Sequence, residues 1–276
     1  MKRTLACLCS LALAVTCLAA GFAACAAPAT TRALTTAYGD FATTPYGHDQ
    51  LVDLAVLTRD YTVDHIPRAT LEEAIVDAAR ASAFDESLGK SSQWKRVAAA
   101  TRLSDETQPA DQVAAALGAW PAFGLDDEVY SHLDDCYALI SGALPWLWLA
   151  AAIAAASLVI LVRAGHVRTA GSALIAGPAA LLAFMAVCGV AAAIDFEGFF
   201  ALFHGVLFPQ GNWTFPADSL LICMLPEGFW MGMGALWLAV TLAACIVSVV
   251  IGRLLMKRGA TAPVRERLSS KQEGTK

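Results

Sequence analysis

The chain has 276 residues, 57% of them hydrophobic and only 16% charged, with a formal net charge of -5 and a mean hydropathy of +0.56. That composition excludes a pair of ordinary soluble domains and a basic nucleic-acid binder, and it points to a membrane protein. The charge is uneven: 18 of the 24 acidic residues fall between Cys25 and Pro145, against 8 of the 19 basic ones.

Residues 1–27 open with Lys2 and Arg3 and continue through LACLCSLALAVTCLAAGFAAC to an Ala-rich end, so they read as a secretory signal or as a first transmembrane helix. The apolar run from Leu5 to Ala27 exceeds a usual signal core and favours a retained span. Residues 28–143 form the one substantial water-soluble part, read as a mainly helical extracytoplasmic domain. Thr70 and Glu73 fit a capping box, and Leu71, Ala74, Ile75, Ala78 and Ala79 recur on one face, which predicts an amphipathic helix over 70–83. A weaker helix is expected over 109–120. Asp126, Asp127 and Glu128 should open a third, running through Tyr130, Leu133, Tyr137 and Ile140. Residues 51–57 fit strand or helix, and 35–50 and 84–94 are expected as loops.

Three further apolar runs, 144–162, 169–193 and 229–251, have membrane-crossing length at about 1.5 Å per residue. Trp146, Trp148, Trp230 and Trp237 stand near their ends as interfacial belt residues do, and Pro178 should kink the third span. The expected fold is an all-α polytopic membrane protein with four transmembrane helices. The extracytoplasmic domain lies between spans 1 and 2, and a re-entrant or interfacial segment, 195–228, lies between spans 3 and 4 within the three-span region 144–252. Lys2, Arg3, Arg163, Arg168 and seven basic residues of the tail 253–276 fall in the three segments that alternating topology puts on one side. The positive-inside rule assigns that side to the cytoplasm, with both termini there and the segment 195–228 outside. The eight cysteines form no disulfide framework, because most lie in or beside apolar runs.

The chemistry concentrates in 199–230, FFALFHGVLFPQGNWTFPADSLLICMLPEGFW, which carries one histidine, two carboxylates and no lysine or arginine. Read as a helix, 195–208 aligns Phe196, Phe199, Phe200, Phe203 and Leu207 in one stripe, suited to the outer membrane interface. His204 sits at its edge, and Glu197, seven residues earlier on the same face, is placed to hold the imidazole's other nitrogen. An interfacial helix whose histidine merely reaches the headgroups is the bland alternative. His132 lies about a dozen residues before span two and so reaches the same layer, with Asp135 three positions on and Glu128 four back to orient its ring. A solvated acidic helix is its alternative. Asp218, after Trp213 and Phe215, should dip toward lipid and need a partner, unless it caps a turn before Leu220. His48, His65 and His166 are weaker candidates, and Asn212-Trp213-Thr214 fits a glycosylation acceptor. No HExxH or cysteine pair gives metal-ligand spacing, so no metal or other cofactor is expected, and without a GxSxG a serine nucleophile is unsupported.

Together these residues resemble the Lit-type lipoprotein intramolecular transacylase family of Gram-positive bacteria. Its His-x-x-Asp block before the second span is similar to HLDDC here, with His132 and Asp135 aligned and Cys136 where an aliphatic residue is usual. Its second block resembles FHGVLF, NWTF, DSLLI and LPEGFW, with Val206, Leu207 and Trp230 replacing some aromatics. The likeness covers about 125–251, and the Ala-rich stretch 81–120 departs most. It implies a bacterial plasma-membrane enzyme that moves an acyl chain within a diacylglyceryl lipoprotein, from the glyceryl sn-2 ester to the amine of the N-terminal cysteine. His204 would then be the principal base and His132 a second proton carrier or oxyanion donor. Asp135 would orient His132, Glu197 would support His204, and Trp213 and Asp218 would shape the pocket. The partners would be that lipoprotein and membrane lipid, with no nucleic acid. The other reading is a non-enzymatic membrane scaffold or sensor, with a partner-binding ectodomain and pH-responsive histidines.

Overall fold

A computed structural model describes residues 2–84 and 92–273, and the chain within them is helical, in eleven elements. These are α1 (Lys2–Cys25), α2 (Pro28–Tyr38), α3 (His48–Asp64), α4 (Arg68–Phe84), α5 (Ser92–Ala100), α6 (Ala110–Gly118), α7 (Asp127–Arg163), α8 (Val167–Ile194), α9 (Phe196–Leu207), α10 (Leu220–Met224) and α11 (Glu227–Glu273). They divide into two compact units. Met1–Ala24, Ala143–Phe199 and Leu236–Lys276 make the first, Cys25–Gly142 and Phe200–Ala235 the second.

The first unit holds the apolar lengths of α1, α7, α8 and α11, four helices long and apolar enough to cross a membrane. Leu11, Trp148, Phe184 and Val187 are each more than 60% exposed, an apolar surface that acyl chains cover without penalty. Lipid gives these helices no hydrophobic reason to associate, so close backbone approach and interhelical hydrogen bonds hold them. Ser10 Oγ donates to the Ala173 carbonyl at 3.0 Å, Ser248 Oγ to that of Leu174 at 2.8 Å, and Trp237 Nε1 to that of Leu18 at 2.9 Å. A Cβ on Gly177 would lie 2.0 Å from the Ser10 carbonyl oxygen, and one on Gly171 2.6 Å from that of Gly252. α1 is therefore an integral member of this bundle. α7 and α8 continue through Pro145 and Pro178, each proline giving up one backbone hydrogen bond.

The second unit is a helical domain around one apolar core. Leu51 and Ala55 of α3, Leu71, Ile75 and Ala79 of α4, Val113 and Leu117 of α6, and Val129 and Leu133 of α7 all face it, at the i, i+4 spacing of buried helical stripes. The helix expected from Thr70 begins two residues earlier, at Arg68, so Thr70 lies inside α4 instead of capping it. Residues 51–57 prove helical. The expected loop 35–50 shrinks to 39–47, and the middle of 84–94 lies outside the described residues. α2 is not legible in PATTRALTTAY: Pro28 at its first turn starts it, and tertiary packing of the low-propensity Thr31 and Thr35 overrides their preference.

Leu220, Cys223 and Met224 of α10 are fully buried in this core, so this stretch packs into protein where the sequence suggests lipid. Its backbone is stitched in as well. The Leu220 N–H donates to the Pro121 carbonyl at 2.7 Å, the Asp40 N–H to the Cys223 carbonyl at 2.9 Å, and Thr35 Oγ1 to the Met224 carbonyl at 3.1 Å. Leu220→Ala should cost about 2–5 kcal/mol, measured as a lowered unfolding midpoint of the purified protein in detergent. An unchanged midpoint would remove α10 from the core.

Candidate functional site

The site forms in the second unit, where the first turns of α7 meet α9 and the segment 208–215. Asp126 Oδ1 accepts the Val129 N–H at 2.9 Å and starts α7, the role the acidic cluster suggested. One face of α7 is then fastened to α3 and α4. Tyr61 donates its hydroxyl proton to Asp134 at 2.6 Å, and Arg68 donates to Asp127 at 2.8 Å while lying 3.9 Å over the Tyr130 ring. On a helix this turns His132, Asp135 and Cys136 to the opposite face.

His132 and His204 meet there, their ring centroids 6.3 Å apart, and each is only 8% exposed. Phe208 stands edge-on to His132 at 4.9 Å, and Phe215 lies at 5.7 Å. Phe200 lies 3.9 Å, Trp213 5.1 Å and Phe203 5.4 Å from His204. This aromatic box excludes water from two titratable rings, which disfavours their charged forms. Burial, and then the neighbouring His204, lower the His132 pKa to about 4, against a smaller opposing pull from Asp135. Burial also lowers that of His204, opposed by its bond to the Phe200 carbonyl. Both rings are therefore neutral at pH 7. His132 stands well before the apolar part of α7 that begins at Leu144.

The tautomer of His204 follows from its partner. His204 Nδ1 lies 2.9 Å from the Phe200 carbonyl, which can only accept, so Nδ1 carries the proton and Nε2 keeps its lone pair. His132 Nε2 lies 3.6 Å from Cys136 Sγ, whose thiol is kept protonated by burial, its pKa raised to about 12. A protonated thiol can either donate to Nε2 or accept from it, so this contact is compatible with both tautomers of His132, whose Nδ1 is buried with no protein partner.

The other expected residues distribute as follows. Asp135 does not hydrogen-bond the His132 ring: its Oδ2 accepts from Gln210 Nε2 at 2.8 Å and Asn212 Nδ2 at 2.7 Å, anchoring the 208–215 segment to α7. Trp213 is at the box. Glu197 stands in the first turn of α9, and the His204 nitrogen expected to meet it is taken by Phe200. Asp218 lines a separate cavity of about 330 Å³ with Thr43, Tyr46, Trp94 and Phe123, and the cap before Leu220 is Ser219, whose hydroxyl accepts the Ile222 N–H. His65 stacks on Tyr137 at 4.0 Å in another cavity, on the far face of α7. Gln210, Asn212, Phe208 and Phe215 are not legible as site residues in the sequence, because their partners on α7 lie about 75 residues away and no spacing rule reaches that far.

A neutral, buried His132 also affects stability. The unfolded chain binds a proton near pH 6.5 that the folded chain refuses until about pH 4, so the folded state loses stability as pH falls through that window and gains nothing above it. The unfolding midpoint in detergent should drop between pH 6.5 and 4, and His132→Phe should flatten the drop. An equally steep drop in the variant would break the link.

Residues 110–230, which contain this whole site, match the family described as lipoprotein intramolecular transacylase Lit. A search of curated proteins returns no match. Among solved structures, the in meso structure of the membrane-integral lipoprotein intramolecular transacylase Lit from Bacillus cereus is similar, with 17% identity and a TM-score of 0.52 over 95% of this chain and 98% of that one. Two histidine-substituted variants of that protein are 16% identical, with TM-scores of 0.48 over 95% of each chain and 0.49 over 95% and 96%. At such identity the likeness concerns the fold: all-helical, with four candidate membrane helices. The segment that builds the paired-histidine site is thus the segment that matches the lipoprotein intramolecular transacylase Lit family.

Proposed function

We propose that this chain transfers an acyl chain within a bacterial diacylglyceryl lipoprotein, from the glyceryl sn-2 ester to the α-amino group of the N-terminal cysteine, by histidine general acid and base catalysis. The observation that carries the reading is the pair of buried, neutral imidazoles 6.3 Å apart. A terminal amine with a pKa of roughly 8 attacks an ester in its neutral form and sheds one N–H proton as the bond forms, and a neutral imidazole is the side chain suited to take that proton at neutral pH. His204 Nε2 takes the proton as the nitrogen adds to the ester carbonyl. The carbonyl oxygen's growing charge is met by His132 in the tautomer with the proton on Nδ1, which is buried without a protein partner, while Nε2 accepts from the Cys136 thiol. When the tetrahedral adduct collapses, the bond from carbonyl carbon to sn-2 oxygen breaks and the proton on His204 passes to that oxygen. An amide and a free glyceryl hydroxyl result, with no net proton change and no enzyme nucleophile.

The remaining residues support this arrangement. Asp135 secures the loop bearing Trp213 against α7, Glu197 supports the start of α9, and Asp218 belongs to the ectodomain wall. The basic segments favour cytoplasmic termini and tail (253–276), with the ectodomain (28–143) and the site on the outer face. The exposed Leu202, Phe203 and Val206 of α9 suit a helix lying in the lipid interface, where the acyl chains are.

The test is mass spectrometry of a tracer lipoprotein's N-terminal peptide from cells lacking N-acyltransferase, with and without this protein. Acyl migration conserves mass, so fragmentation must find one chain on nitrogen and one on glycerol. A tracer unchanged by the protein would favour the scaffold or sensor reading.

A further inference from the structure

Asn212 follows a turn in which the Gly211 N–H donates to the Phe208 carbonyl at 3.1 Å and Gly211 takes φ of +83°, a left-handed conformation that side-chain-bearing residues adopt with strain. The turn delivers the Asn212 amide to α7, where Nδ2 lies 2.7 Å from Asp135 Oδ2 and 3.5 Å from Ser131 Oγ. A carboxylate oxygen only accepts, so the nitrogen must be the atom facing Asp135 and the orientation of the amide is fixed. Its carbonyl oxygen, Oδ1, is consequently directed elsewhere, and it is buried with no protein donor. A buried acceptor without a donor is a standing cost to the fold. It also selects its ligand. An ester carbonyl or phosphate oxygen has nothing to give it, whereas an N–H or O–H does.

We propose that Asn212 is a substrate-binding residue whose side-chain carbonyl accepts a hydrogen bond from the α-amino group of the lipoprotein's N-terminal cysteine. The inference rests on the acyl-transfer reading above. A neutral primary amine has two N–H bonds: one is given to His204 Nε2 during attack and the other to Asn212 Oδ1, which fixes the direction of the nitrogen lone pair. The site then carries one orphan of each kind, the donor on His132 for the ester oxygen and the acceptor on Asn212 for the amine, and the substrate supplies their complements. The same burial and bonding leave the Asn212 amide nitrogen engaged, so the Asn-Trp-Thr sequence is part of this site instead of a glycosylation acceptor.

The test compares two synthetic diacylglyceryl-cysteine lipopeptides, one with a free α-amine and one with an N-methyl amine that has a single N–H, using the full-length protein in detergent with fragmentation as the readout. Wild type should prefer the primary amine by roughly tenfold or more, one hydrogen bond's worth. Asn212→Ala, which also removes a donor to Asp135, should slow the N-methyl peptide about as much as Gln210→Ala does and the primary peptide by roughly tenfold more, and so erase the preference. Gln210→Ala, which removes the other donor to Asp135, should slow both peptides alike. If Asn212→Ala also slows both alike, the residue merely holds the loop and the proposal is overturned while the acyl-transfer reading stands. If wild type converts neither peptide, both fall. Asn212→Ser, with a hydroxyl too short to reach the same point, repeats the comparison if the alanine variant does not accumulate, with the same outcomes deciding.

Discussion

His204→Ala should leave the tracer lipoprotein's acyl chains where they began, with lyso-form production reduced by roughly a hundredfold or more, as expected for loss of a positioned general base. The size follows from the surroundings: His204 Nε2 is held by a ring whose other nitrogen is tied to the Phe200 carbonyl at 2.9 Å, inside a box from which bulk water, the only substitute base, is excluded. His132→Ala should also be strongly impaired, through loss of its Nδ1–H and the collapse of the aromatic wall on Phe208. The pH profile separates the two roles. With both rings neutral down to below the usual histidine range, wild-type activity should fall on the acid side because the substrate amine protonates, not because the enzyme does. Activity near wild type in both alanine variants would sink the histidine mechanism, provided the purified variants unfold at midpoints like that of wild type.

The second large effect concerns the membrane bundle. Gly177→Leu should prevent accumulation of folded protein, because a Cβ at that position already lies 2.0 Å from the Ser10 carbonyl oxygen of α1, a backbone atom that no rotamer can move aside. Overpacking costs typically about 1–3 kcal/mol when side chains can yield. Here whole helices must part, and the Ser10 to Ala173 hydrogen bond would be lost with them. Fluorescence-detected size exclusion of the detergent extract is the measurement. A monodisperse peak at wild-type yield would mean that α1 and α8 do not pack as described.

The four spans are legible in the sequence because an uninterrupted apolar run of about twenty residues matches the thickness of a bilayer and exceeds what a soluble core buries. The helix over 70–83 is legible because its stripe repeats at about 3.6 residues. The histidine pair is legible only as two residues at a common depth. That Phe208 and Phe215 wall it, and that Asp135 serves Gln210 and Asn212 instead of the imidazole, depends on a loop returning to α7 from far along the chain. α2 escapes because threonines with weak helix propensity are held helical by tertiary contacts. The LLICM of α10 reads as lipid-directed because it is apolar, and apolarity does not say which apolar environment a segment enters.

Sequence distance also sets an order of assembly. α1 is anchored by Trp237, whose partner Leu18 lies 219 residues earlier, and the core of the second unit is closed by Met224, 166 residues after the Thr58 it meets. At a synthesis rate of about 5–20 residues per second, the first helix waits roughly 10–40 s for the residue that clamps it. The helices of the second unit meanwhile emerge with a gap in their core that only the returning 220–224 segment fills. A chain interrupted before residue 220 would leave both units open at once, a half-built protein with unburied apolar surface in each, and a natural substrate for quality-control proteases.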